Sequence, residues 1–234
     1  MQPSAPELLT IVVPVYNEAQ TVRQVIDRLL QIPLPLPREI IVVNDGSTDG
    51  TLQVLDGVPA VEDVLSIVHA AANGGKGSAV RIGLGHARGT IIAIQDADLE
   101  LDPVQLGDLV GPILRDEAEV VYGSRFLAGR SSGPWLSAAA NRALTALTNL
   151  LFGGRLTDME TCYKVMRSDV ARSLQLESNR FDIEPEITAK LLRQRRRIVE
   201  LPVKFDSRSR ASGKKIGWRD GVQAIAVLLK YRFR

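Results

Sequence analysis

The sequence predicts an α/β protein with a mostly parallel central β-sheet flanked by helices on both faces. Short runs rich in Val and Ile alternate along the first half with segments whose apolar residues recur at helical spacing. The apolar runs are continuous rather than alternating, which is typical of strands buried on both faces of a parallel sheet. The length of 234 residues and the 45% hydrophobic content suit one large domain.

Five strands and the helices between them are predicted in the first half. Asn17 is expected to cap the first helix, and Pro103 suits the first position of the helix that follows Asp102. The predicted strands are residues 8–16, 39–45, 64–70, 90–95 and 118–126, and the predicted helices lie within residues 17–31, 52–55, 73–87 and 103–114.

The second half is predicted to be more helical. It opens with a long helix rich in Ala and Leu, and Ser168 is expected to cap a later one. The predicted helices are residues 137–154, 168–176, 181–194 and 217–234, and the predicted strands are residues 163–167 and 197–205.

Each predicted strand of the first half ends in polar residues. In open parallel sheets ligands bind outside the carboxyl ends of the strands, which we call the carboxyl edge. We therefore expect one binding site that draws on residues 16–18, 44–49, 69–76, 96–100 and 123–125.

The segment after the fourth strand is acidic, with Asp96, Asp98, Glu100 and Asp102 spaced two residues apart. Side chains two apart on an extended segment share a face, and carboxylates this close repel one another unless a cation lies among them. Such oxygen ligands suit Mg²⁺ or Mn²⁺. The alternative is an exposed acidic turn that caps the helix after Asp102.

The glycine-rich segment "NGGKGSA" does not have the spacing of a P-loop, because Gly77 follows Lys76 where that motif needs Ser or Thr. The segment "GLGHARG" matches a dinucleotide-binding fingerprint too poorly to support one. Lys76 is left with two interpretations, a contact with a phosphate or a solvated lysine in a loop.

The charge of the chain is uneven. From Arg193 onward there are thirteen Lys and Arg residues but three acidic ones, which indicates an anionic partner such as a membrane surface, phosphate or nucleic acid, unless this is a solvated basic face. The single cysteine, Cys162, excludes a disulfide framework and is expected to be a buried structural thiol. No apolar run reaches the ~18 residues that span a bilayer, so we expect a soluble or peripheral protein.

Five segments together resemble the signatures of family 2 glycosyltransferases with the GT-A fold. They are "TIVVPVYNEAQTV", "EIIVVNDGSTDGT", "NGGKGSAVRIGL", "IIAIQDADLELDP" and "VVYGSRF", in this order over residues 8–126. The later segments "LTDMETCYKVMRSDV", "RFDIEPEITAKL" and "IVELPVKFDSRSRASGKKIGWRDG" resemble the polyprenyl-phosphate branch, which comprises dolichyl-phosphate mannose synthase and its bacterial relatives.

The resemblance implies an inverting enzyme that moves one sugar from a nucleotide sugar, GDP-mannose or a UDP-hexose, to a polyprenyl phosphate at the cytoplasmic membrane face. It implies a nucleotide-sugar-binding part over residues 1–126, an acceptor-side part of the same domain over residues 127–206, and a basic loop with a terminal amphipathic helix over residues 207–234. Nucleic acid is not an expected partner.

The resemblance also implies roles for individual residues. Asp96, Asp98 and Arg125 are the expected catalytic residues, and Glu100 joins the two aspartates as a metal ligand where many relatives have Gln. Expected at the nucleotide are Pro14, Tyr16, Glu18, Asn44, Asp45, Lys76, Asp96, Ala97 and Asp98. Expected at the acceptor phosphate are Arg125, Arg130, Ser137, Arg142, Arg208, Lys214 and Lys215; Arg130 or Arg142 would replace a basic residue that relatives have near Gly133.

A phosphate acceptor fits a site without a dedicated base, since its second pKa near 6 leaves it largely anionic at neutral pH. Three other functions stay open from the sequence: a GT-A enzyme with a soluble or polysaccharide acceptor, a sugar-phosphate nucleotidyltransferase, and a non-catalytic binding module. The terminal helix has one apolar side and is expected either at a membrane interface or packed on the domain. That side carries Trp218, Val222, Ile225, Ala226 and Leu229.

Overall fold

A seven-stranded sheet with helices on both faces forms the centre of the computed structural model, which describes residues 7–129, 135–207 and 218–234. The strands are β1 (Leu9–Val15), β2 (Arg38–Asn44), β3 (Leu65–His69), β4 (Ile91–Ile94), β5 (Val120–Ser124), β6 (Lys164–Arg167) and β7 (Ile198–Pro202). The helices are α1 (Val22–Gln31), α2 (Thr51–Asp56), α3 (Lys76–His86), α4 (Leu106–Leu114), α5 (Trp135–Phe152), α6 (Ser168–Ser173), α7 (Ile183–Arg193) and α8 (Trp218–Phe233).

The strand order is β3-β2-β1-β4-β6-β5-β7. The pairs among β1, β2, β3 and β4 are parallel, as is the pair of β5 with β7, whereas β6 runs antiparallel to both of its neighbours. The prediction of a mostly parallel sheet is therefore confirmed. Because β6 is reversed, the segment that enters it lies at the carboxyl edge of the other strands.

Apolar side chains cover both faces of the sheet, as the continuous apolar runs predict. Val13 of β1 belongs to the core layer beneath α1 and α4, while its neighbour Val12 belongs to the layer beneath α3 and α7. Successive strand residues point to opposite faces, so a strand buried on both sides needs both positions apolar. Gly83 lets α3 lie close to β1, since a Cβ at this position would collide with Val12.

A third cluster of buried residues joins α8 to α5 and α7. Ala224, Val227, Leu228 and Tyr231 of α8 are buried, and the last three pack in a cluster with Met159. The opposite side of α8 carries four of the apolar residues predicted from its periodicity, Val222, Ile225, Ala226 and Leu229. Val222, Ile225 and Leu229 are 58%, 40% and 41% exposed. The helix is thus packed on the domain through one face and leaves a second apolar face uncovered.

Two predicted helix caps are wrong. Helix α1 begins at Val22, and Asn17 has a positive φ of 54° and accepts a hydrogen bond from the backbone N–H of Thr48. Asn17 therefore links two loops instead of starting the helix. Ser168 is the first residue of α6 and makes no capping bond. Asp102 does cap the turn at Pro103, as predicted, by accepting from the N–H of Val104.

Among the helices of the described residues, none has the length and hydropathy of a membrane-spanning segment.

Candidate functional site

The carboxyl edge gathers most of the predicted site residues. The loops that follow β1, β2, β3, β4 and β5 leave the sheet at this edge, and the segment 153–163 returns to it before the reversed strand β6. Side chains far apart in sequence therefore meet in one region. Of the predicted residues within the described ranges, those expected at the nucleotide lie at or after the ends of β1 to β4, and those expected at the acceptor phosphate lie in the β5–α5 region.

Asn44 and Asp45, at the end of β2, hold neighbouring loops in place. The Asp45 carboxylate is buried and accepts hydrogen bonds from the N–H groups of Gly74 (2.9 Å) and Gly75 (2.7 Å). The Asn44 side chain accepts from the N–H of Ser47 and bonds to His69. The structure thus gives both residues a positioning role that the sequence did not reveal, and their contact with the nucleotide stays a prediction.

Pro14, Tyr16 and Glu18 lie at the end of β1 and are each partly exposed. The N–H of Glu18 donates to the hydroxyl of Thr51, and its carboxylate accepts from the hydroxyl of Thr21. These bonds fix the loop against the start of α2. The role of Pro14, Tyr16 and Glu18 at the nucleotide stays a prediction.

Lys76 is the centre of a buried network of charges. Its ammonium group lies 2.8 Å from a carboxylate oxygen of Asp96 and 2.8 Å from one of Glu184, and its side chain is 11% exposed. Glu184 also forms an ion pair with the fully buried Lys164. The interpretation of Lys76 as a solvated loop lysine is therefore wrong.

Electrostatics within this network favour the charged forms. Burial alone would lower the pKa of Lys76, but the charges of Asp96 and Glu184 raise it well above its usual value. Burial would likewise raise the pKa of Asp96, yet the adjacent Lys76 lowers it. Cys162 is buried as predicted, and burial together with Asp96 raises the pKa of its thiol. Cys162 is therefore held as a neutral thiol.

The acidic segment is not extended, so the predicted shared face of three carboxylates is wrong. Strand β4 ends at Ile94, and the chain turns at Leu99, which has a positive φ of 62°. The Asp98 carboxylate accepts from the N–H of Glu100 within this turn. In the described part of the chain, no three Asp, Glu, His or Cys side chains converge as a metal site would require.

The carboxylate oxygens of this segment still suit a divalent cation that is also coordinated by a bound substrate. Mg²⁺ is commonly held by one or two carboxylates and completes its coordination with substrate phosphates and water. Asp96 and Asp98 supply hard oxygen atoms next to buried Ala97, at the end of a rigid strand. Lys76 balances the charge of Asp96 in the structure.

Arg125 lies just past β5 and is fixed by a bidentate ion pair. Its Nε and Nη2 atoms each donate to an oxygen of Asp158 at 2.7 Å, and Asp158 is fully buried. Burial would lower the pKa of Arg125, but the bonds and charge of Asp158 raise it. The guanidinium group also lies over the rings of Phe126 and Phe205. These contacts set the plane of the guanidinium group.

The other predicted acceptor residues divide into two groups. The guanidinium of Arg142 lies 4.6 Å from the ring centre of Phe126, so it shares that ring with Arg125, and Ser137 lies on the same helix, α5. Four predicted residues lie outside the described ranges, namely Arg130, Arg208, Lys214 and Lys215.

The segment leading into β6 contributes residues that the sequence analysis missed. Glu200 of β7 accepts from the N–H groups of Thr157 and Asp158, and this places Asp158 against Arg125. Glu160 follows two residues later and is discussed below. The sequence signal was a pair of acids in "TDMET", next to a short strand, where no predicted function required them.

Comparison with known proteins identifies glycosyltransferases as relatives of this chain. Residues 10–174 match the model of the glycosyl transferase family 2. The chain is 32% identical over 178 residues to the dodecaprenyl-phosphate galacturonate synthase of Rhizobium johnstonii, covering 74% of this chain and 52% of that protein. It is 29% identical over 229 residues to the undecaprenyl-phosphate mannosyltransferase of Micrococcus luteus, covering 94% of this chain and 92% of that protein.

Solved structures show the same fold. A structure of glucosyl-3-phosphoglycerate synthase from Mycobacterium tuberculosis with Mn²⁺, UDP and phosphoglyceric acid matches with a TM-score of 0.74 at 19% identity, over 97% of this chain and 79% of that one. The chain spans about half (52%) of the galacturonate synthase, and 33% of the related glycosyltransferase AglD of Haloferax volcanii.

Proposed function

Because the chain belongs to glycosyl transferase family 2, we propose that it moves a single sugar from a nucleotide sugar to a polyprenyl phosphate, with inversion. The donor is GDP-mannose or a UDP-hexose, and the reaction takes place at the cytoplasmic face of a membrane. The names of two relatives, a dodecaprenyl-phosphate and an undecaprenyl-phosphate sugar transferase, support this choice of acceptor.

The observation that carries the proposal is the fixed guanidinium of Arg125 at the same edge as the carboxylates of Asp96 and Asp98. A planar guanidinium binds phosphate oxygens in a defined direction. Asp158 already orders the Arg125 side chain through a bidentate pair, so the acceptor phosphate binds without an entropy cost for ordering it. A cation site and an anion site on one edge match a donor diphosphate with its metal and an acceptor phosphate.

Asp96 and Asp98 would hold Mg²⁺ or Mn²⁺ together with the donor diphosphate, and Glu100 is the further candidate ligand. When bound, the metal offsets charge on the departing diphosphate. Lys76, which lies 2.8 Å from Asp96, would contact the same diphosphate once the metal balances part of the Asp96 charge. Tyr16, Glu18 and the loop held by Asp45 form the nucleotide side.

The chain's own residues then have to align the two substrates. An acceptor phosphate oxygen attacks the anomeric carbon from the side opposite the diphosphate, a new C–O bond forms, and the bond to the diphosphate oxygen breaks. The phosphate is already anionic at neutral pH, so no side chain has to remove a proton. Arg125 orients the phosphate and neutralises its charge, with Arg142 and Ser137 next to it on the acceptor side.

We further propose the three parts expected from the sequence, with residues 1–126 on the nucleotide side, 127–206 on the acceptor side, and 207–234 at the membrane. The exposed apolar face of α8 supports the last assignment, since an amphipathic helix of this kind binds at a lipid interface.

The test is transfer of labelled sugar. Wild-type protein with GDP-mannose or UDP-hexoses, Mg²⁺ or Mn²⁺ and a short polyprenyl phosphate should yield a lipid-linked sugar, whereas the matching polyprenol, which lacks phosphate, should not react. Arg125→Lys should lower kcat/KM by ~100-fold, because Lys can neither form the bidentate pair with Asp158 nor offer phosphate a planar group of donors.

Arg88→Lys, an exposed arginine on the opposite end of the sheet, is the matched control and should keep full activity. Transfer to a soluble sugar with no response to the change at Arg125 would reject the acceptor. Consumption of a nucleoside triphosphate with release of pyrophosphate would instead establish a nucleotidyltransferase.

A further inference from the structure

Two buried carboxylate oxygens of the described residues lack a hydrogen bond, Oε1 of Glu184 and Oε1 of Glu160. The first is still compensated, because it lies 2.8 Å from the ammonium of Lys76. Within the residues that the structure describes, Oε1 of Glu160 has no partner although it is shielded from solvent. Leaving a buried acceptor unsatisfied destabilises a folded protein, and native proteins satisfy nearly all such groups. The exceptions therefore need an explanation, and a ligand that supplies the missing donor is one.

Glu160 is held rigidly by the residues on both sides of it. The N–H of Met159 donates to the hydroxyl of Thr145, and the hydroxyl of Thr161 donates to the carbonyl of Gly123. The buried ammonium of Lys164 donates to the carbonyls of both Met159 and Thr161. The backbone at Glu160 is therefore fixed on both sides, and in this fixed position Oε1 has no protein partner.

Glu160 is near both charged centres of the proposed site. It interacts electrostatically with Arg125 and Asp158 on the acceptor side and with Lys164 and Glu184 on the donor side. Glu184 is in turn paired with Lys76, which contacts Asp96. During transfer the sugar must lie between its diphosphate and the acceptor phosphate, and Glu160 is near charged residues of both sides.

We propose that Glu160 binds a hydroxyl group of the donor sugar and so selects the sugar, an inference that rests on the function proposed above. The hydrogen-bond donors of the hexose in a nucleotide sugar are its free hydroxyl groups, on C2, C3, C4 and C6, and a carboxylate accepts from them. Burial and the charge of Glu184 raise the pKa of Glu160 to about 7, and either form of the carboxyl group can bond a hydroxyl.

The experiment compares the binding of nucleotides with and without a sugar. Dissociation constants of UDP, UDP-glucose, GDP and GDP-mannose are measured calorimetrically in Mg²⁺ for the wild type, Glu160→Gln and Glu160→Ala. Glu160→Ala should weaken binding of the preferred nucleotide sugar by ~10- to 100-fold and leave the matching nucleoside diphosphate within about twofold. Glu160→Gln, which keeps one acceptor oxygen, should lie between the two.

Glu62→Ala, at an exposed glutamate, is the control and should change neither constant. Monodeoxy versions of the preferred donor identify the hydroxyl. The analogue that lacks it should bind the wild type as weakly as the parent donor binds Glu160→Ala, and it should lose nothing further in that variant.

Equal weakening of diphosphate and sugar nucleotide, or no change in either, would overturn the role of Glu160 while the proposed function stands. The second result would mean that the oxygen is satisfied by water. A wild-type protein that binds neither GDP-mannose nor any UDP-hexose would reject the proposed function itself.

Discussion

Lys76 is the residue that balances charge on the donor side of the site. Its ammonium satisfies Asp96 and Glu184 at once, in a place where a free pair of carboxylates would repel. A bound metal would supply the same positive charge to Asp96. Lysine and metal therefore compete for one carboxylate, and this competition can be measured without any sugar transfer.

Lys76→Met should destabilise the fold by ~3 kcal/mol, because it leaves buried carboxylates without their cation. Mn²⁺ at millimolar concentration should recover part of that loss in the variant, since Asp96 and Asp98 are then open to it, and should change the wild type far less. Urea unfolding with and without Mn²⁺, in the absence of nucleotide, measures both effects.

Lys190→Met is the matched control, since it also removes a cation from a buried carboxylate, Glu186, away from Asp96. Its stability loss should not respond to Mn²⁺. A similar recovery in both variants would show that the metal does not act at Asp96.

Glu160 gives the stability of the protein a pH dependence of defined sign. Its folded-state pKa of about 7 lies above its usual value of 4.5, so the unfolded chain loses this proton first as the pH rises. The contribution of Glu160 to stability is present below pH 4.5 and is lost as the pH rises through 7, by at most ~3 kcal/mol.

Glu160→Gln cannot lose that proton. The difference in unfolding free energy between Glu160→Gln and wild type should therefore grow in favour of the variant from pH 5 to 7 and stay constant above. Urea unfolding at pH 5, 6, 7 and 8 measures it, with exposed Glu62→Gln as the control. A difference that does not vary with pH would contradict the raised pKa.

At the scale of elements, helix α8 has one face packed on the domain and one face exposed. Leu228 is fully buried against α5 and α7. Its neighbours Ile225 and Leu229 are 40% and 41% exposed. An exposed apolar stripe with nearby basic residues is typical of a helix that lies at a lipid surface. The two faces should respond to mutation in opposite ways.

The double change Ile225→Ser and Leu229→Ser should leave the unfolding free energy within ~0.5 kcal/mol of wild type and weaken binding to phosphatidylglycerol vesicles about tenfold. Leu228→Ala, on the packed face, should cost ~2–4 kcal/mol in stability and, where still folded, bind vesicles as the wild type does. Sedimentation with vesicles and urea unfolding measure the two. Undiminished vesicle binding by the double variant would exclude this face as the contact.

The same element shows how far the sequence reached. Periodicity predicted the apolar stripe of α8 but not whether it is exposed, and the apolar runs predicted the sheet, because both patterns follow from local spacing. The antiparallel direction of β6 was not predicted, since a four-residue strand carries no local signal of direction. The pairing of Lys76 with Glu184 and of Arg125 with Asp158 depends on that direction, so these partners stayed hidden although Lys76 and Arg125 were themselves predicted.

At the scale of the whole molecule, the two proposed parts share one sheet. Strand β5, in residues 1–126, has β6 and β7 as its neighbours, and both come from residues 127–206. Strand β4 also has β6 on one side. A site assembled from both parts is thereby fixed in geometry, since Arg125 and its partner Asp158 are held by the same strands.

Residues 1–126 on their own should therefore fail to unfold cooperatively, because β5 would lose both neighbours and β4 one of them. Residues 1–207 keep all seven strands and should show a single transition at lower stability than the full chain, since removal of α8 uncovers the cluster around Met159. Urea unfolding of the three chains, followed by circular dichroism, measures this. A cooperative transition in residues 1–126 would mean that the nucleotide side is an independent folding unit, and that the acceptor side is attached to it instead of completing its sheet.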